Sequence, residues 1–248
     1  MKDTKDILLG RKSVRRYERR AIEPEKLEFI YEAIRNTPTS YNGQQFSVVA
    51  VTDQTVKEQL YGIMGQKQVK TSAAFLVFCM DFHQLELAAK AEGVDFPDFQ
   101  DSVNGCTVGV VDAALAMRSA EVAAEAVGLG CCCIGYARTA DPKQTSEILG
   151  LPEKVAIVCG LAIGYPNEDP DLKPKRPVKI VVHGNKYGSD AEITKELVEY
   201  NKTVTKYNQE RSGDKTTNDW TAHILDYHRE EKEKKIEKYL SGQKINIK

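Results

Sequence analysis

The chain has 248 residues, and its 41% hydrophobic and 29% charged content is typical of a soluble globular protein. Its 35 basic and 36 acidic residues give a net charge of −1, which excludes a global basic field for nucleic acid or a membrane surface. No apolar run approaches the roughly 20 residues of a membrane helix, and the opening MKDTKDILLG lacks the apolar core of a secretory signal. We therefore expect a cytoplasmic protein without nucleic-acid or membrane partners.

The first distinctive segment is GRKSVRRYERR, residues 10–20, where arginine and lysine surround one serine and one tyrosine. Because the whole chain is nearly neutral, this positive charge is local and predicts a local anion. Arginine and lysine with a serine hydroxyl bind phosphate through charge-assisted hydrogen bonds. A solvated basic stretch is the alternative interpretation, and it is the one we expect for Arg16, Arg19 and Arg20.

A helix is predicted next, at residues 24–34, because proline suits its first turn and apolar residues recur at three- and four-residue spacing. The loop that follows, NTPTSYNGQQ at residues 36–45, is rich in turn formers and amides. Amide side chains donate and accept, so they recognise hydroxyls and ring edges, although turn chemistry alone also explains the loop. The polar candidates from this part of the chain are Ser40, Asn42, Gln44 and Gln66.

Two strands and a long helix follow. The segment FSVVAVT, residues 46–52, is β-branched, and AAFLVFCMDF, residues 73–82, is apolar on both faces and is therefore predicted to be central in a sheet. Residues 105–127 predict a long helix rich in alanine, valine and glycine. Because small side chains let another helix approach closely, this helix is a candidate for the centre of a subunit interface. A core helix buried within one subunit is the equal alternative.

Residues 128–138, GLGCCCIGYAR, end that helix at glycine and predict a short strand and turn. Since neighbouring residues of a strand point to opposite faces, the cysteines at 131–133 cannot chelate one metal as a pair. We expect them to be free, packed thiols in a reducing compartment. Further strands are predicted within residues 151–166 and at 178–183, on either side of the loop DLKPKRP at 171–177.

From residue 189 onward the sequence is strongly charged and predicts helices, the last of them over residues 220–240. A tail of this kind has little core of its own, so we expect it to pack on a neighbour, in this subunit or in a partner. Helices alternating with four or five strands predict an α/β or α+β fold. The predicted organisation is a single domain, residues 1–248, with residues 189–248 as a helical C-terminal extension.

Five motifs, in this order and spacing, resemble the FMN-dependent nitroreductase family: RKSVRRY, TPTSYNGQQF, GQKQV, GLGCCCIGYAR and LKPKRP. The resemblance covers nearly the whole chain and is greatest to the NADPH-preferring, oxygen-insensitive nitroreductase and flavin-reductase branch. It implies an α+β (α/β sandwich-like) fold with a mixed, mainly antiparallel central sheet flanked by helices. It also implies an intertwined homodimer with two FMN sites at the subunit interface.

The resemblance further implies which residues bind the cofactor. Arg11 and Ser13 are implied to face the FMN phosphate, on which Lys173 closes. The sequence leaves open whether Lys175 or Arg176 completes this clamp. The full set of implied cofactor-binding residues is Arg11, Lys12, Ser13, Arg15, Ser40, Asn42, Gln44, Gln66, Cys133, Ile134, Gly135, Tyr136, Lys173 and Lys175.

The other implied contacts surround the flavin ring. Arg15 would lie at the ribityl chain and pyrimidine edge, where a cation stabilises the anionic reduced flavin, and Gln66 would bond the ribityl or pyrimidine side. The loop at residues 36–45 would reach the flavin from the partner subunit. A backbone N–H of Gly135 or Tyr136 would lie at the reactive N5 atom, so that neither a metal nor a catalytic side chain is implied.

The implied activity is that of an NAD(P)H-dependent FMN oxidoreductase, which reduces nitroaromatics, quinones or free flavin by two-electron ping-pong transfer. Tyr136 departs from the family, whose members often have a second glycine there, and NADPH and NADH both remain open as co-substrates. A flavin-binding module without turnover, for storage or sensing, is the alternative, because the same residues would hold the flavin. No motif identifies the natural electron acceptor.

Overall fold

The computed structural model describes residues 3–211, 216–228 and 233–247. These residues form two compact units, one within Met1–Asp169 and Lys232–Lys248 and the other within Pro170–Glu231. The prediction of a single domain over the whole chain stays a prediction. Among the described residues, no helix is both long enough and apolar enough to cross a membrane.

The described strands belong to the first unit and are β1 (Phe46–Val51), β2 (Ala74–Asp81), β3 (Gly130–Ile134) and β4 (Val155–Gly164). The helices of that unit are α1 (Thr4–Leu9), α2 (Pro24–Arg35), α3 (Gln54–Met64), α4 (Lys67–Thr71), α5 (His83–Ala91), α6 (Val103–Ala126), α7 (Tyr136–Thr139), α8 (Pro142–Leu149) and α11 (Glu233–Gly242). The helices of the second unit are α9 (Asp190–Glu210) and α10 (Trp220–His228). Short 3₁₀ helices lie at Ser40–Asn42, Phe99–Asp101 and Val178–Ile180.

The sheet has the strand order β1-β2-β4-β3, and each neighbouring pair of strands is antiparallel. Every residue of β2 is buried, which confirms the central position predicted from its two apolar faces. A parallel bridge between Ser13 and Cys131 adds one parallel contact at the β3 edge. The predicted α+β fold with a mixed, mainly antiparallel central sheet is therefore confirmed.

Helix α6 packs on this sheet through small side chains. A Cβ added at Gly109 would lie 2.7 Å from the Cβ of Met80 in β2, so the glycine permits the close approach. The alanines that recur on the buried face at three- or four-residue spacing are Ala113, Ala116, Ala120 and Ala124. The other face is apolar yet exposed, through Val103, Val110, Val111 and Leu115. The helix is thus a core helix on one side, and its role in a subunit interface stays a prediction.

The basic segment at residues 10–20 runs along the edge of the sheet beside β3. The backbone N–H of Val14 donates to the carbonyl oxygen of Cys131 over 2.9 Å. The buried hydroxyl of Tyr17 lies 2.7 Å from the Val14 carbonyl oxygen and 3.1 Å from that of Ala162 in β4. These contacts fix the segment to the edge strand, so its charged side chains are placed by the sheet.

The predicted strand at residues 178–183 is wrong, because the structure has the 3₁₀ helix Val178–Ile180 there. The segment is rich in β-branched residues, but β propensity measures how well side chains pack on a pleated sheet. The described residues of the second unit contain no strand for it to pair with, and Val181 and Val182 stay exposed. Helix α1 is a further difference, since its few apolar residues give no readable period.

Within the second unit, α9 begins at a capping box, in which Ser189 and Glu192 satisfy each other's backbone N–H. The rings of Tyr200 and Trp220 meet edge to face with centroids 5.8 Å apart, which joins α9 to α10. Within residues 220–240, where one final helix is predicted, the structure has α10 and most of α11, and residues 229–232 lie outside the described residues.

Helix α11 packs within the first unit. The buried hydroxyl of Tyr239 accepts a hydrogen bond from the backbone N–H of Ile157 in β4 over 3.0 Å. The same hydroxyl lies 2.8 Å from the hydroxyl of Ser146 in α8. The end of the chain therefore packs on its own subunit, which was one of the two packing partners expected for the tail.

Candidate functional site

Arg11 lies at the centre of a cluster that joins three parts of the chain. Its Nε donates to the Oε1 of Glu121 in α6 over 2.5 Å. One terminal nitrogen of the guanidinium lies 3.3 Å from the hydroxyl of Ser13, and the other lies 3.8 Å from the thiol of Cys133 at the end of β3. The structure therefore brings together three of the residues predicted to bind the phosphate and flavin.

Glu121 is the member of this cluster that sequence reasoning missed. Its side chain is 4% exposed, and its second oxygen accepts from Arg118 over 2.5 Å, so one buried carboxylate holds two guanidinium groups. Burial of Arg11 opposes its charge, but the hydrogen bond and charge of Glu121 together raise its pKa. The available signal was an acid near the end of a helix rich in small apolar residues, since an acid buried there requires a cationic partner.

Gln66 is linked to the same region through Gln68. The Nε2 of Gln68 donates to the Oε1 of Gln66 over 3.0 Å, and the side chain of Gln68 is buried. Gln68 also contacts the thiol of Cys132, whose pKa is raised by burial despite the opposing charges of Arg15 and Arg11. Gln66, Arg15 and the β3 cysteines thus belong to one neighbourhood.

The remaining basic residues of the segment face an acidic loop after β4. The ammonium of Lys12 donates to Asp169 over 2.7 Å. The backbone N–H groups of Arg15 and Arg16 both donate to one oxygen of Glu168. Glu168 therefore holds the backbone of the basic segment, and the prediction that Lys12 binds the cofactor stays a prediction.

The outer arginines differ from one another. The side chain of Arg16 is 81% exposed, in keeping with a solvated surface. Arg20 was also predicted to be solvated, but its guanidinium pairs with Glu23 and lies 3.9 Å from the centre of the Tyr165 ring. This second group of charges stabilises the start of α2 and is not part of the Arg11 cluster.

The turn from β3 into α7 presents backbone to the surface. Ile134 is buried in the core, whereas Gly135 and Tyr136 are exposed. A Cβ added at Gly135 would meet no atom within 4 Å, so a flat ring could approach this backbone closely. The predicted contacts at Gly135 and Tyr136 are compatible with this geometry, while Ile134 acts as packing beneath them.

The amide-rich loop occupies a different place along α6. The backbone N–H groups of Ser40 and Gln45 donate to the two oxygens of the buried Asp112 over 3.1 and 3.2 Å. Asp112 and Glu121 are nine residues apart, which corresponds to roughly 13–14 Å along a helix. Within one chain the predicted contacts Ser40, Asn42 and Gln44 are therefore not brought to the Arg11 cluster.

That loop is held in an unusual backbone conformation. Three non-glycine residues have positive φ angles, 43° at Tyr41, 57° at Asn42 and 52° at Gln44. Each such residue costs on the order of 1–3 kcal/mol and persists only where its surroundings impose it. The two bonds to Asp112 and the hydrogen bond from the Gln45 amide to the Tyr41 hydroxyl restrain the loop, and the assignment of the loop to the partner's flavin stays a prediction.

Lys173 and Lys175 belong to the second unit, where their loop is held at Pro174, whose carbonyl oxygen accepts from the hydroxyl of Tyr200 over 3.2 Å. The guanidinium of Arg176 lies 5.7 Å from the centre of the Trp220 ring. Arg176 thus has an aromatic partner in its own unit, and the phosphate clamp by Lys173 and Lys175 stays a prediction.

All six cysteines are free thiols. Cys79, Cys131 and Cys132 are buried and Cys106 and Cys159 half-buried, but Cys133 is exposed, so the packing predicted for the triplet is found only at Cys131 and Cys132. Desolvation by the protein around the thiol and the neighbouring Glu121 raise the pKa of Cys133 to about 11, so this thiol is protonated at neutral pH. Among the described residues, no group of histidine, cysteine, aspartate and glutamate has the geometry of a metal site.

The residues of the cluster fit a flavin mononucleotide. The contacts of Arg11 with Ser13 and Cys133, at 3.3 and 3.8 Å, are longer than charge-assisted hydrogen bonds, so both donors can bind a stronger anionic acceptor. Arg15 and Gln66 offer donors to a ring edge, and Gly135 offers open backbone to a ring face. A dianionic head and a flat heteroaromatic body match this donor set.

Comparison with known proteins agrees with this chemistry. Residues 8–165 match the model of the nitroreductase family, and residues 173–248 match the model of its C-terminal domain. A chromium(VI) reductase of Pseudomonas sp. strain G-1 is 36% identical over 245 residues, covering 98% of this chain and 99% of the relative. An NAD(P)H FMN reductase of Bacillus subtilis is 33% identical over 226 residues, covering 89% of each chain.

Solved structures give the same result. The hypothetical oxidoreductase YcnD of Bacillus subtilis superimposes with a TM-score of 0.95 at 30% identity, and the match covers 100% of both chains. The NADPH:FMN oxidoreductase of Vibrio harveyi, solved with NAD⁺, gives a TM-score of 0.86 at 27% identity over 99% of both chains. The resemblance drawn from the five sequence motifs is confirmed, and the chain belongs to the nitroreductase family.

Proposed function

We propose that the protein is an FMN-dependent oxidoreductase that uses NADPH or NADH to reduce nitroaromatics, quinones or free flavin. The observation that carries the proposal is the Arg11 cluster, in which a guanidinium, a serine hydroxyl and the end of β3 meet beside an exposed glycine backbone. Relatives named FMN reductase and oxygen-insensitive NADPH nitroreductase, similar over about nine-tenths of the chain, support the same activity.

Bound FMN supplies the acceptance and donation of hydride at N5, and the protein supplies binding, orientation and electrostatics. Arg11 and Ser13 would hold the phosphate, together with Lys173 and either Lys175 or Arg176. Arg15 stabilises negative charge at the pyrimidine edge. Since bound FMN would supply the hydride chemistry, no nucleophile or acid–base pair from the chain would be required.

The proposed assembly is a homodimer. The exposed apolar face of α6 supports it, since Val111 and Leu115 are 47% and 40% exposed in the single chain. The strained loop at Ser40–Asn42 is anchored to the same helix through Asp112. A partner packed on α6 would bring this loop to the partner's flavin and complete each site. The free cysteines support a reducing, cytoplasmic compartment.

The test is purification followed by turnover. The protein should be yellow or become so on addition of FMN, should release FMN on heating, and should oxidise NADPH when a quinone or nitrofurazone is present. A protein that binds FMN but oxidises neither NADPH nor NADH would be the module for storage or sensing. A protein that is colourless after incubation with excess FMN and removal of the unbound FMN would contradict the proposal altogether.

A further inference from the structure

Gln68 is a buried amide with a defined partner and no assigned role. It lies in the first turn of α4, and its side chain donates through Nε2 to the Oε1 of Gln66 over 3.0 Å. Gln66 is the N-cap residue of α4, yet its side chain makes no capping hydrogen bond. The Gln66 side chain is therefore oriented by Gln68 and not by the helix that it begins.

The direction of this hydrogen bond matters because an amide has two unlike ends. With its oxygen accepting from Gln68, Gln66 keeps its Nε2 donor as the end that can meet a ligand. Gln68 also lies beside the thiol of Cys132, which is 3.7 Å from the carbonyl oxygen of Cys133 in β3. The chain of contacts runs from β3 through Gln68 to Gln66.

We propose that Gln68 is a positioning residue, which holds the Gln66 amide with its oxygen turned inward so that Gln66 presents an N–H donor to the flavin. The proposal rests on the proposed function, because it assumes that FMN binds at the Arg11 cluster.

The chemistry of the flavin ring explains why the direction of the amide would matter. The N1–C2 part of its pyrimidine edge carries an unprotonated nitrogen and a carbonyl oxygen, which accept hydrogen bonds, and negative charge collects there on reduction. A fixed N–H donor stabilises that charge, whereas an amide oxygen in its place repels it. Gln68 should thus affect reduced FMN more than oxidised FMN.

The discriminating variant is Gln68→Glu, studied at pH 8 so that the introduced carboxyl is ionised. A carboxylate cannot donate, so Gln66 must turn its Nε2 inward and its oxygen toward the flavin. We expect the dissociation constant of oxidised FMN to rise about tenfold, and that of reduced FMN about tenfold further, which corresponds to a fall of about 30 mV in the two-electron midpoint potential.

Two further variants separate positioning from packing. Gln68→His keeps an N–H donor at a similar reach and should restore the wild-type affinity and potential. Gln68→Leu removes the donor without adding charge, and it provides the test if the glutamate variant does not fold. The matched control is Gln144→Glu on the exposed surface of α8, which should change neither quantity.

The experiment is an FMN titration followed by fluorescence, together with a redox titration of each variant. In the Gln66→Ala background, Gln68→Glu should have no further effect, because it acts through Gln66. The positioning role is overturned if Gln66→Ala weakens FMN binding while Gln68→Glu and Gln68→Leu leave affinity and potential unchanged. It is also overturned if the effects of Gln66→Ala and Gln68→Glu on FMN affinity add in the double variant. In both cases the proposed function stands. If wild-type protein binds no FMN, both are overturned.

Discussion

One nitrogen of the Arg11 guanidinium binds the protein, and the other two are predicted to bind the ligand. The Nε end is bound to Glu121, whose side chain is almost fully buried, while the terminal nitrogens lie near Ser13 and Cys133. One end is thus fixed by a strong partner and the other by weak ones. This asymmetry is what a phosphate-binding arginine requires, since the fixed end sets the direction in which the other end donates.

Removal of the Arg11 side chain should weaken FMN binding strongly. Arg11→Ala deletes a charge-assisted contact, which is worth about 1.5–3 kcal/mol, so the dissociation constant should rise about 10- to 100-fold. Fluorescence titration of the apoprotein measures it. Arg16→Ala, in the same segment but 81% exposed, is the matched control and should bind FMN as the wild type does. Equal losses in both variants would show a diffuse basic patch instead of a specific clamp.

Glu121 should matter for stability even without cofactor. Glu121→Gln leaves two guanidinium groups without a carboxylate, but Arg11 and Arg118 are 27% and 39% exposed, so the full cost of a broken buried pair does not apply. We expect the free energy of unfolding of the apoprotein to fall by about 1–3 kcal/mol in urea titrations.

The control for that prediction is Glu153→Gln, which breaks an ion pair with Lys244 in which both side chains are 60% exposed. A surface pair of this kind contributes at most about 1 kcal/mol, so its loss should shift the urea midpoint little. If the free energy of unfolding falls by the same small amount in both variants, Glu121 does not stabilise the Arg11 cluster as described.

The sequence predicted some of these residues and not others for a physical reason. Arg11 and Ser13 stand together in a local motif whose charge is visible without knowledge of the fold. Glu121 is 110 residues from Arg11, and Gln68 touches the cysteine triplet only after β3 and α4 have packed. Contacts of that kind arise from tertiary structure, so composition and spacing could suggest an acid in need of a partner but not which partner.

At the scale of elements, the exposed apolar face of α6 is the feature that calls for an explanation. One face of the helix packs on the sheet through alanine and glycine, and the other leaves valines and Leu115 in contact with solvent. Contiguous exposed apolar surface on a helix is typical of an interface. In the proposed dimer this face is buried against the partner subunit.

A charge on that face should therefore prevent association. Leu115→Lys places an ammonium where the proposed dimer buries a leucine, and burial of an unpaired charge is strongly unfavourable. Sedimentation velocity should find a dimer for the wild type and monomer for the variant. Val94→Lys, at a residue 58% exposed outside α6, should remain dimeric. A dimeric Leu115→Lys protein would place the interface elsewhere.

The elements themselves were predictable where the pattern was strong. The strand over residues 73–82 is apolar on both faces and proved central, as β2. The segment at 178–183 is richer in β-branched residues, yet it contains the 3₁₀ helix Val178–Ile180 and no strand. The difference lies in the availability of a neighbouring strand, which local sequence does not encode.

At the scale of the whole molecule, the chain ends within the unit in which it began. Helix α11 packs on α7 and α8, and the hydroxyl of Tyr239 bonds to the backbone of β4 and to Ser146. The Tyr239 ring is 6% exposed, so these bonds are protected from water. The C-terminal helix is therefore a structural part of the first unit.

Loss of the Tyr239 hydroxyl should weaken the attachment of α11 to the rest of the first unit. Tyr239→Phe leaves the N–H of Ile157 and the hydroxyl of Ser146 without their partner, which should lower the free energy of unfolding by about 1–3 kcal/mol. Urea titration measures it, and Tyr187→Phe, at a residue 78% exposed, should change little. A variant as stable as the wild type would mean that α11 is held by apolar packing alone.

The account as a whole depends on residues far apart in the sequence forming one flavin-phosphate site. A crystal structure of the protein with FMN tests this most directly. The account predicts phosphate oxygens within about 3.2 Å of the Arg11 guanidinium and the Ser13 hydroxyl, and the Gln66 amide nitrogen at a similar distance from the ribityl chain or the pyrimidine edge. FMN bound away from Arg11, or turned so that Gln66 and Gly135 do not contact it, would contradict the account.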